Sequence, residues 1–339
     1  MIDIDRLHKG YRTADGGHSE VLRGLSLRVP ARSVTAVVGP SGAGKSTLAR
    51  CICLLERPDS GSIRVNGEDL SLLSGEALRR ARRAIGTVFQ SSALLGRKTA
   101  AQNIALPLAY LGVVEHEIRA RVGELLESVG LSHKADAYPA QLSGGQRQRI
   151  GIARALALRP SVLLADEATS GLDPQATASV LALLRRLRDE YRLAIVLITH
   201  EMDAVRAAAD AVAEIRDGRI VQYGDVGDLL AQPDSALAAQ LLPLSAVSAR
   251  SDLLLRLSYR RDVPVATDWI SRLSQQYALN IDLLGGHVEI LNGRLVGRLQ
   301  AGVRFQGQRL PAGRLLELLA GLGIAAEILD GAPALREAV

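Results

Sequence analysis

A glycine-rich turn between an apolar run and a helical run constrains the fold of this chain more than any other feature. The turn, which we call the P-loop, reads GPSGAGKST over residues 39–47 and closes the strand-like run SVTAVVG. It fits the pattern G-x-x-x-x-G-K-[ST], in which backbone N–H groups surround phosphate oxygens at the positive end of a helix. In this pattern Lys45 reaches the β- and γ-phosphates and Ser46 ligates Mg²⁺. The predicted phosphate site comprises Gly39, Pro40, Ser41, Gly42, Ala43, Gly44, Lys45, Ser46 and Thr47.

Apolar runs alternate with helical patterns from the N-terminus to about residue 240, which is typical of an α/β fold. The runs SVLLADE at 161–167 and LAIVLITHE at 193–201 are continuous apolar segments of the kind buried on both faces of a parallel sheet. An amphipathic helix with Pro174 near its N-terminus connects them. Because the strands of such a sheet end at a common edge, residues at their carboxyl ends are candidates for the functional site.

An acidic pair, Asp166 and Glu167, ends one of these strands. A carboxylate at Asp166 can hold Mg²⁺ directly or through water, and Glu167 can polarise the attacking water as a general base. The alternative is an acidic pair that merely favours the dipole of the following helix. The P-loop in the same chain favours the catalytic interpretation.

Three single residues give weaker signals. Gln90 ends the run IGTVFQ and His200 ends AIVLITH, so both lie at the predicted ligand edge of the sheet. There Gln90 can position water and metal, and His200 can hydrogen-bond a γ-phosphate. Tyr11, upstream of the P-loop strand, can stack on adenine. The alternatives are ordinary polar loop residues for Gln90 and His200 and a rim aromatic for Tyr11.

The stretch QLSGGQRQR, residues 141–149, predicts a second anion site. Ser143 offers a hydroxyl, while Gly144 and Gly145 let backbone N–H groups come close at the start of a helix. One P-loop and two phosphate-binding helix starts in one chain are accounted for by a head-to-tail homodimer. In such a dimer this segment closes over ATP that is held by the other subunit.

The composition narrows the class of protein. A length of 339 residues fits about two domains, and a net charge of +5 suits nucleic acid, anionic lipid or nucleotide equally. No long basic block stands out, so we expect a solvated surface and no nucleic-acid partner. Cys51 and Cys53 are predicted to be reduced core thiols. No apolar run forms a signal segment or approaches the ~18 residues of a membrane span, which predicts a soluble cytoplasmic chain that partners hold at any membrane.

A composition shift near residue 240 predicts a second domain. Residues 242–251 are a predicted linker between a first domain at 2–241 and a second at 252–332. The second domain shows the order β-α-β-β-α-β, the ferredoxin-like plan, with a hairpin turn at Asn292 and Gly293.

The motifs together resemble the ATP-binding cassette (ABC) ATPases. The resemblance rests on features that stand in family order: Tyr11, the P-loop, Gln90, the signature segment LSGGQ at Leu142–Gln146, the DE pair, SGLD at Ser170–Asp173 and His200. It implies a mostly parallel sheet with an antiparallel subdomain and a helical subdomain. It also implies that two ATPs lie between two subunits, where Ser143, Gly144, Gly145, Gln146 and Asp173 act in trans. Many members have alanine where this chain has Gly171, which adds backbone freedom at the SGLD segment.

The whole chain further resembles the ATPase subunit of the bacterial methionine importers. The segments CICLLERPDSGSIRVNG, NIALPLAYLGV and ITHEMDAV carry this resemblance, together with a tail similar to an ACT-like regulatory domain. It implies a peripheral protein at the cytoplasmic face of the inner membrane, bound to two copies of a transmembrane permease. An extracytoplasmic methionine-binding protein then delivers substrate to the permease. The surface around the glutamine loop, about Ser91 to Asn103, is expected to contact the permease.

Other ABC classes remain alternatives to this interpretation. The chain could serve another amino-acid importer or an exporter or cell-division complex, with a tail that only dimerises. A non-transport ABC protein usually has two cassettes or long coiled coils, and this chain has neither.

The resemblance also implies a regulatory site for methionine where two tails pair. It points to residues 282–288, where Asp282 can accept a hydrogen bond from the ligand ammonium and Val288 can face the thioether. The alternatives are an exposed acidic residue and an ordinary strand valine.

Overall fold

The computed structural model describes residues 1–13, 16–232, 235–244, 251–259, 264–291, 294–307 and 309–329. The chain divides into two compact units, Met1–Tyr223 and Gly224–Val339. This division falls before the predicted linker at 242–251, of which residues 245–250 lie outside the described chain. The predicted turn at Asn292 and Gly293 and the end of the second domain at 332 also lie outside it.

Before the predicted linker, the described residues form ten strands. They are β1 (Ile2–Arg12), β2 (His18–Val29), β3 (Ser33–Val38), β4 (Ser60–Val65), β5 (Glu68–Asp69), β6 (Ile85–Val88), β7 (Val162–Asp166), β8 (Ala194–Ile198), β9 (Ala211–Arg216) and β10 (Arg219–Asp225).

The same described part of the chain contains nine α-helices. They are α1 (Lys45–Ile52), α2 (Gly75–Arg82), α3 (Ala100–Tyr110), α4 (Glu115–Ser128), α5 (Gly144–Ala155), α6 (Pro174–Glu190), α7 (Met202–Ala208), α8 (Val226–Leu230) and α9 (Ala236–Leu241). Two short 3₁₀ turns, Ser132–Lys134 and Pro139–Gln141, lie between α4 and α5.

The central sheet has the strand order β10-β9-β3-β8-β7-β6. The pairs β3–β8, β3–β9, β7–β8 and β6–β7 are all parallel. Every residue of β8 is buried, and so is every residue of β3 after Ser33, because helices cover both faces of such a sheet. The parallel strands therefore end at one edge, where the P-loop follows β3 and Asp166 ends β7.

A second sheet, of order β2-β1-β4-β5, is antiparallel between its paired strands. Its apolar side chains join those of α1 and the central sheet in one core that includes Ile4, Leu25, Ile52 and Ile63. Cys51 and Cys53 are free and buried in this core, and burial raises the pKa of the Cys51 thiol to about 11. The prediction of reduced core thiols is confirmed.

A helical part packs α3 against α4 and α5. Two of its helices begin with a capping box, in which the cap side chain and the third helical residue satisfy each other's backbone N–H. Thr99 and Gln102 form this box at α3, and Ser143 and Gln146 form it at α5. The start of α5 is thus fixed by the same serine that the sequence placed in an anion site.

The second unit contains α8 and α9 and then β11 (Leu253–Tyr259), α10 (Trp269–Tyr277), β12 (Leu279–Leu291), β13 (Arg294–Phe305), α11 (Ala312–Gly321) and β14 (Ile324–Ile328). The predicted β-α-β-β-α-β order is confirmed. The four strands form a sheet of order β12-β13-β11-β14 in which all neighbours are antiparallel. Trp269 and Leu273 of α10 and Leu315 and Leu319 of α11 are buried in its core.

Within the described ranges, no helix is both long and apolar enough to cross a membrane.

Candidate active site

The P-loop backbone requires glycine at two of its positions. Gly39 has φ +151°, and a Cβ on it would lie 2.1 Å from the Ile215 carbonyl oxygen. Gly44, the N-cap of α1, has φ +109°, and a Cβ there would lie 3.2 Å from the Val21 carbonyl oxygen. At Gly39 the turn therefore passes too close to neighbouring backbone for a side chain, and at Gly44 the positive φ and the tight contact both favour glycine. The turn leads into the start of α1, where backbone N–H groups can bind an anion.

The Lys45 ammonium lies within the P-loop itself. Its Nζ donates to the Gly39 carbonyl oxygen at 2.7 Å and to the Pro40 carbonyl oxygen at 2.9 Å. Burial lowers the pKa of Lys45, which the negative charges of Glu167 and Asp166 partly offset. Phosphate oxygens that replace these carbonyls would give the ammonium a charged partner, which is a stronger hydrogen-bond acceptor.

Asp166 and Ser46 offer the oxygen donors that Mg²⁺ prefers. Burial, and then the negative charge of Glu167, raise the pKa of the Asp166 carboxyl. A divalent cation would relieve this cost of holding a charged carboxylate there. In the ranges that the structure describes, no three His, Cys, Asp or Glu side chains form a cluster able to hold a metal alone. A carboxylate and a hydroxyl are donor types that fit Mg²⁺, which keeps waters and substrate phosphates among its ligands.

Glu167 and His200 come together across the ends of two neighbouring strands. His200 Nδ1 lies 3.3 Å from Glu167 Oε1, and the Glu167 N–H donates to the Ile198 carbonyl oxygen at 2.9 Å. Glu167 has φ +49°, a left-handed conformation that is costly for a residue with a Cβ. Such strain persists where surrounding bonds fix it, and it is concentrated at functional sites.

Gln90 contacts the SGLD segment. Its Nε2 donates to Ser170 Oγ at 3.0 Å. Gly171 has φ +75°, a conformation that glycine adopts without strain, and Asp173 then caps α6 by accepting from the Ala176 N–H at 2.8 Å. Sequence reasoning assigned no role to the Ser170 hydroxyl, although the position of Ser170 in the loop after the DE pair was a signal that could have identified it.

Tyr11 is held at the end of β1 by charged neighbours. Its hydroxyl donates to Glu56, and Glu56 also accepts from Arg50 Nη1 at 3.1 Å. The Lys9 ammonium lies 5.5 Å from the centre of the Tyr11 ring. Sequence reasoning missed Glu56, because it lies 45 residues from Tyr11 and leaves no local pattern. It also missed Lys9, although Lys9 lies only two residues before Tyr11.

Two residues of the signature segment, Ser143 and Gln146, form the N-terminal cap of α5. Ser143 Oγ accepts from the Gln146 N–H at 3.2 Å, and Gln146 Oε1 accepts from the Ser143 N–H at 2.9 Å. The Ser143 hydroxyl proton is still free to be donated, because the hydroxyl serves the cap only as an acceptor. The first N–H groups of α5, on Gly144 and Gly145, have no acceptor within the helix.

Both signature glycines also pack closely against the region after the DE pair. A Cβ on Gly144 would lie 3.1 Å from Leu172 Cδ2, and one on Gly145 would lie 3.0 Å from Ala176 Cβ. The sequence analysis explained these glycines only by the close approach of a ligand to their N–H groups. The structure adds a second reason, because a side chain at either position would crowd Leu172 or Ala176.

The structure distributes the predicted site residues over several elements. The P-loop, Gln90, Asp166, Glu167 and His200 lie at the carboxyl ends of adjacent strands. The other predicted residues lie at the start of α5 (Ser143, Gly144, Gly145 and Gln146), at the N-cap of α6 (Asp173) and on β1 (Tyr11).

The predicted regulatory residues lie on β12. Asp282 Oδ2 accepts from Arg304 Nη2 at 2.8 Å and from Arg304 Nε at 3.1 Å. Val288 is 47% exposed. A register shift between Leu283 and Gly285 places Asp282 opposite Gly302 but Val288 opposite Gly297. Because strand side chains alternate, partners five residues apart lie on opposite faces, so the two side chains do not meet within one chain.

Comparison with known proteins places these features in one family. The family model described as ABC transporter matches residues 22–170. The chain is 52% identical over 319 residues to the methionine import ATP-binding protein MetN 1 of Rhodococcus jostii, covering 93% of each chain. It is also 52% identical over 309 residues to the methionine import ATP-binding protein of Thermobifida fusca, covering 91% of this chain and 94% of the relative.

A solved structure shares the fold of the first unit. It is a dimeric ATP-binding cassette in a post-hydrolysis state, bound to ADP and phosphate. It is 31% identical to this chain, with a TM-score of 0.59, and the match covers 66% of this chain and 98% of the cassette.

Proposed function

The chain belongs to the ABC transporter family and, within it, to the methionine import ATP-binding proteins, and from that membership we propose that it is the ATP-hydrolysing subunit of a bacterial methionine importer. The observation that carries the proposal is the near full-length identity of 52% with relatives of that name. The P-loop, Gln90, Asp166, Glu167 and His200 at the carboxyl edge of the central sheet support the proposal, because these residue types can bind and hydrolyse ATP.

The geometry supports hydrolysis by direct attack of water on the γ-phosphate. The P-loop N–H groups and Lys45 hold the triphosphate, while Ser46, Gln90 and Asp166 would hold Mg²⁺, which neutralises charge on the phosphate oxygens. Glu167 accepts a proton from the attacking water, and the bond between the γ-phosphorus and the β–γ bridging oxygen breaks to give ADP and phosphate. His200 stays beside Glu167 and donates a hydrogen bond to the γ-phosphate. Tyr11 stacks on the adenine.

We further propose that the working unit is a homodimer. The signature segment begins α5 and the P-loop begins α1, so one chain offers two helix starts and each can complete the site of a partner subunit. Ser143, Gly144, Gly145, Gln146 and Asp173 then contact the ATP held by the other subunit. The dimeric cassette that is 31% identical to this chain supports this arrangement.

A groove beside the glutamine loop suits a permease helix. It has a volume of about 830 Å³ and combines an apolar wall with an arginine-rich wall, formed by Glu76, Arg79, Arg82, Arg83, Leu106, Pro107, Tyr110, Leu111 and Leu158. In the chain alone Tyr110 is 87% exposed. An exposed large aromatic side chain of this kind is typical of a surface that a partner covers in the complex. Two permease copies would bind the two cassettes, and an extracytoplasmic methionine-binding protein would supply the permease. We accordingly propose a location at the cytoplasmic face of the inner membrane.

The second domain is proposed to sense cytoplasmic methionine and to slow hydrolysis when it is occupied. β12 is an edge strand, and its exposed apolar side chains, Leu283, Val288 and Ile290, favour pairing with a second tail. Asp282, already bonded to Arg304, is the residue we assign to the ligand ammonium. A tail that only dimerises is the alternative.

Uptake by intact cells tests the transport function. The bacterium that carries this chain is given the substitution Glu167→Gln, and initial uptake of radiolabelled L-methionine and L-leucine is measured in both strains. We expect methionine uptake to fall and leucine uptake to stay at the wild-type rate. Unchanged methionine uptake with a loss of leucine uptake would assign the chain to another importer.

A further inference from the structure

The glutamine loop is bound to the helix that begins with the signature segment. The Arg154 guanidinium donates from Nη2 to the Ser92 carbonyl oxygen at 2.7 Å and from Nη1 to the Ala93 carbonyl oxygen at 2.8 Å. Two N–H donors on one rigid planar group fix the direction of both carbonyls. The last turn of α5 therefore holds this loop through its backbone.

The two residues that Arg154 contacts have a strained backbone. Ser92 has φ +51° and Ala93 has φ +47°, so two consecutive residues with a Cβ adopt the left-handed conformation. Such residues keep this conformation only where their surroundings fix it. The hydrogen bonds from Arg154 fall on these same two residues, which makes the arginine part of what fixes them.

Two further residues of α5 face the same loop. Gln148 is 3% exposed, and its Nε2 donates to the Phe89 carbonyl oxygen at 3.1 Å, next to Gln90. A Cβ on Gly151 would lie 3.2 Å from Ser92 Cβ. Positions 148, 151 and 154 are three residues apart, so they share one face of the helix. These three positions of the face all contact residues 89–93, the segment that includes Gln90.

The opposite end of α5 is the signature segment. Ser143 caps the helix, and Arg154 lies on its last turn, about 16 Å further along the axis at 1.5 Å per residue. A single rigid helix thus connects the residue predicted to bind the partner's ATP with the loop of the predicted metal ligand Gln90.

We propose that Arg154 is a positioning residue that fixes the glutamine loop to α5, so that Gln90 reaches its working position as Ser143 closes on the partner's ATP. The inference rests on the proposed function, because it takes Gln90 and Ser143 as parts of one composite ATP site. It assigns Arg154 no contact with nucleotide.

The substitution Arg154→Lys in the full chain tests the proposal, because lysine keeps the charge but lacks the planar pair of donors. We expect kcat for MgATP hydrolysis to fall about tenfold while KM stays within about twofold. Arg149→Lys is the matched control on the same helix. Arg149 donates to the Val129 carbonyl oxygen and to Ser179 Oγ, away from the glutamine loop, so its kcat should stay near wild type.

A double-mutant cycle separates positioning from general damage to the fold. Once Gln90 is changed to Ala, Arg154→Lys should lower kcat no further, because both changes remove the same contribution. Arg149→Lys should give the same small effect with either residue at position 90. Losses that multiply for Arg154→Lys and Gln90→Ala would overturn the proposal.

Gly151→Ala reaches the same loop without removing a hydrogen bond. Alanine favours a helix over glycine, so the variant should fold, while its new Cβ presses on Ser92. We expect a lower kcat with no loss in Tm. An active wild-type chain whose kcat is unchanged by both Arg154→Lys and Gly151→Ala would overturn the inference alone. A wild-type chain without MgATP turnover would overturn the proposed function as well.

Discussion

Glu167 Oε1 lies 3.3 Å from His200 Nδ1, although 33 residues separate the two along the chain. The contact joins the ends of two neighbouring parallel strands, β7 and β8. Glu167 reaches it with a left-handed backbone, at φ +49°. The pair therefore holds the proposed general base in one orientation, beside the P-loop strand β3 that pairs with β8.

Glu167→Gln should abolish turnover and leave ATP binding intact. Glutamine has nearly the same shape but cannot take the proton from water, so kcat should fall by about 10²–10⁴-fold. The unhydrolysed ATP should also hold two chains together. Hydrolysis assays combined with light scattering on the ATP-bound protein measure both effects. Rapid hydrolysis by this variant would show that another group is the base.

Asp166→Asn should raise the Tm of the protein at pH 7 in metal-free buffer. Burial and Glu167 raise the pKa of the Asp166 carboxyl in the folded state. The Asp166 carboxyl of the folded chain therefore binds its proton more tightly than that of the unfolded chain. The free energy of unfolding consequently falls as the pH rises from the unfolded pKa through the raised folded pKa. The uncharged asparagine avoids that loss at neutral pH.

The same substitution should weaken the stabilisation that Mg²⁺ with ATP gives, since it removes a predicted metal ligand. Melting curves at pH 7 with and without MgATP provide the comparison. In metal-free buffer, a lower Tm for Asp166→Asn than for wild type would contradict this account. It would show that the charged Asp166 carboxylate does not destabilise the folded protein.

Gly39→Ala should destabilise the first unit and weaken ATP binding. A Cβ at this position meets the Ile215 carbonyl oxygen at 2.1 Å and sits on a backbone with φ +151°. Strain of this kind costs about 1–3 kcal/mol per residue, and the overlap with a backbone atom adds to it. Gly96→Ala is the matched control, because a Cβ there meets nothing within 4 Å. Equal urea midpoints for the two variants would contradict the steric argument.

Calorimetric titration of the full chain tests the proposed sensor. L-methionine should bind saturably, while L-leucine and L-glutamine should not, and Asp282→Asn should weaken the binding by removing the charge that faces the ammonium. Glu317→Gln, which alters an exposed acidic residue of the same domain, is the control. Equal methionine affinity in wild type and Asp282→Asn would remove Asp282 from the site.

Local patterns were sufficient to predict that the P-loop and the DE pair lie at the carboxyl ends of parallel strands. They were also sufficient to predict the order of elements in the second domain. The P-loop needs a strand before it and a helix after it, so this one motif predicts both neighbouring elements. The βαββαβ order followed from alternating periods in the sequence, and the structure confirms it.

Contacts between distant segments could not be predicted in this way. The bonds from Arg154 to Ser92 and Ala93 span about sixty residues and end on carbonyl oxygens, which every residue type possesses. The left-handed backbone at Glu167 is fixed by the Ile198 carbonyl of the next strand and not by any neighbouring glycine. The register shift that separates Asp282 from Val288 arises within the β12–β13 pair and leaves no periodic signal strong enough to read.

The sequence also did not predict which compact unit contains α8 and α9. Composition placed a linker at 242–251, yet α8 packs on β13 and both short helices belong to the second compact unit. The domain bounds 2–241 and 252–332 stay a prediction.

The measurement that most directly tests the composite ATP site uses two variants that are inactive by themselves. One chain carries Glu167→Gln, and the other carries Ser143→Arg, whose bulk and charge should block closure without preventing ATP binding at its own P-loop. If the signature segment acts in trans, a mixed dimer has one intact site, formed by the P-loop and Glu167 of the second chain and Ser143 of the first. Co-purified mixed dimers should therefore hydrolyse MgATP at a clear fraction of the wild-type rate. Hydrolysis no faster than that of the two variants measured separately would contradict the account.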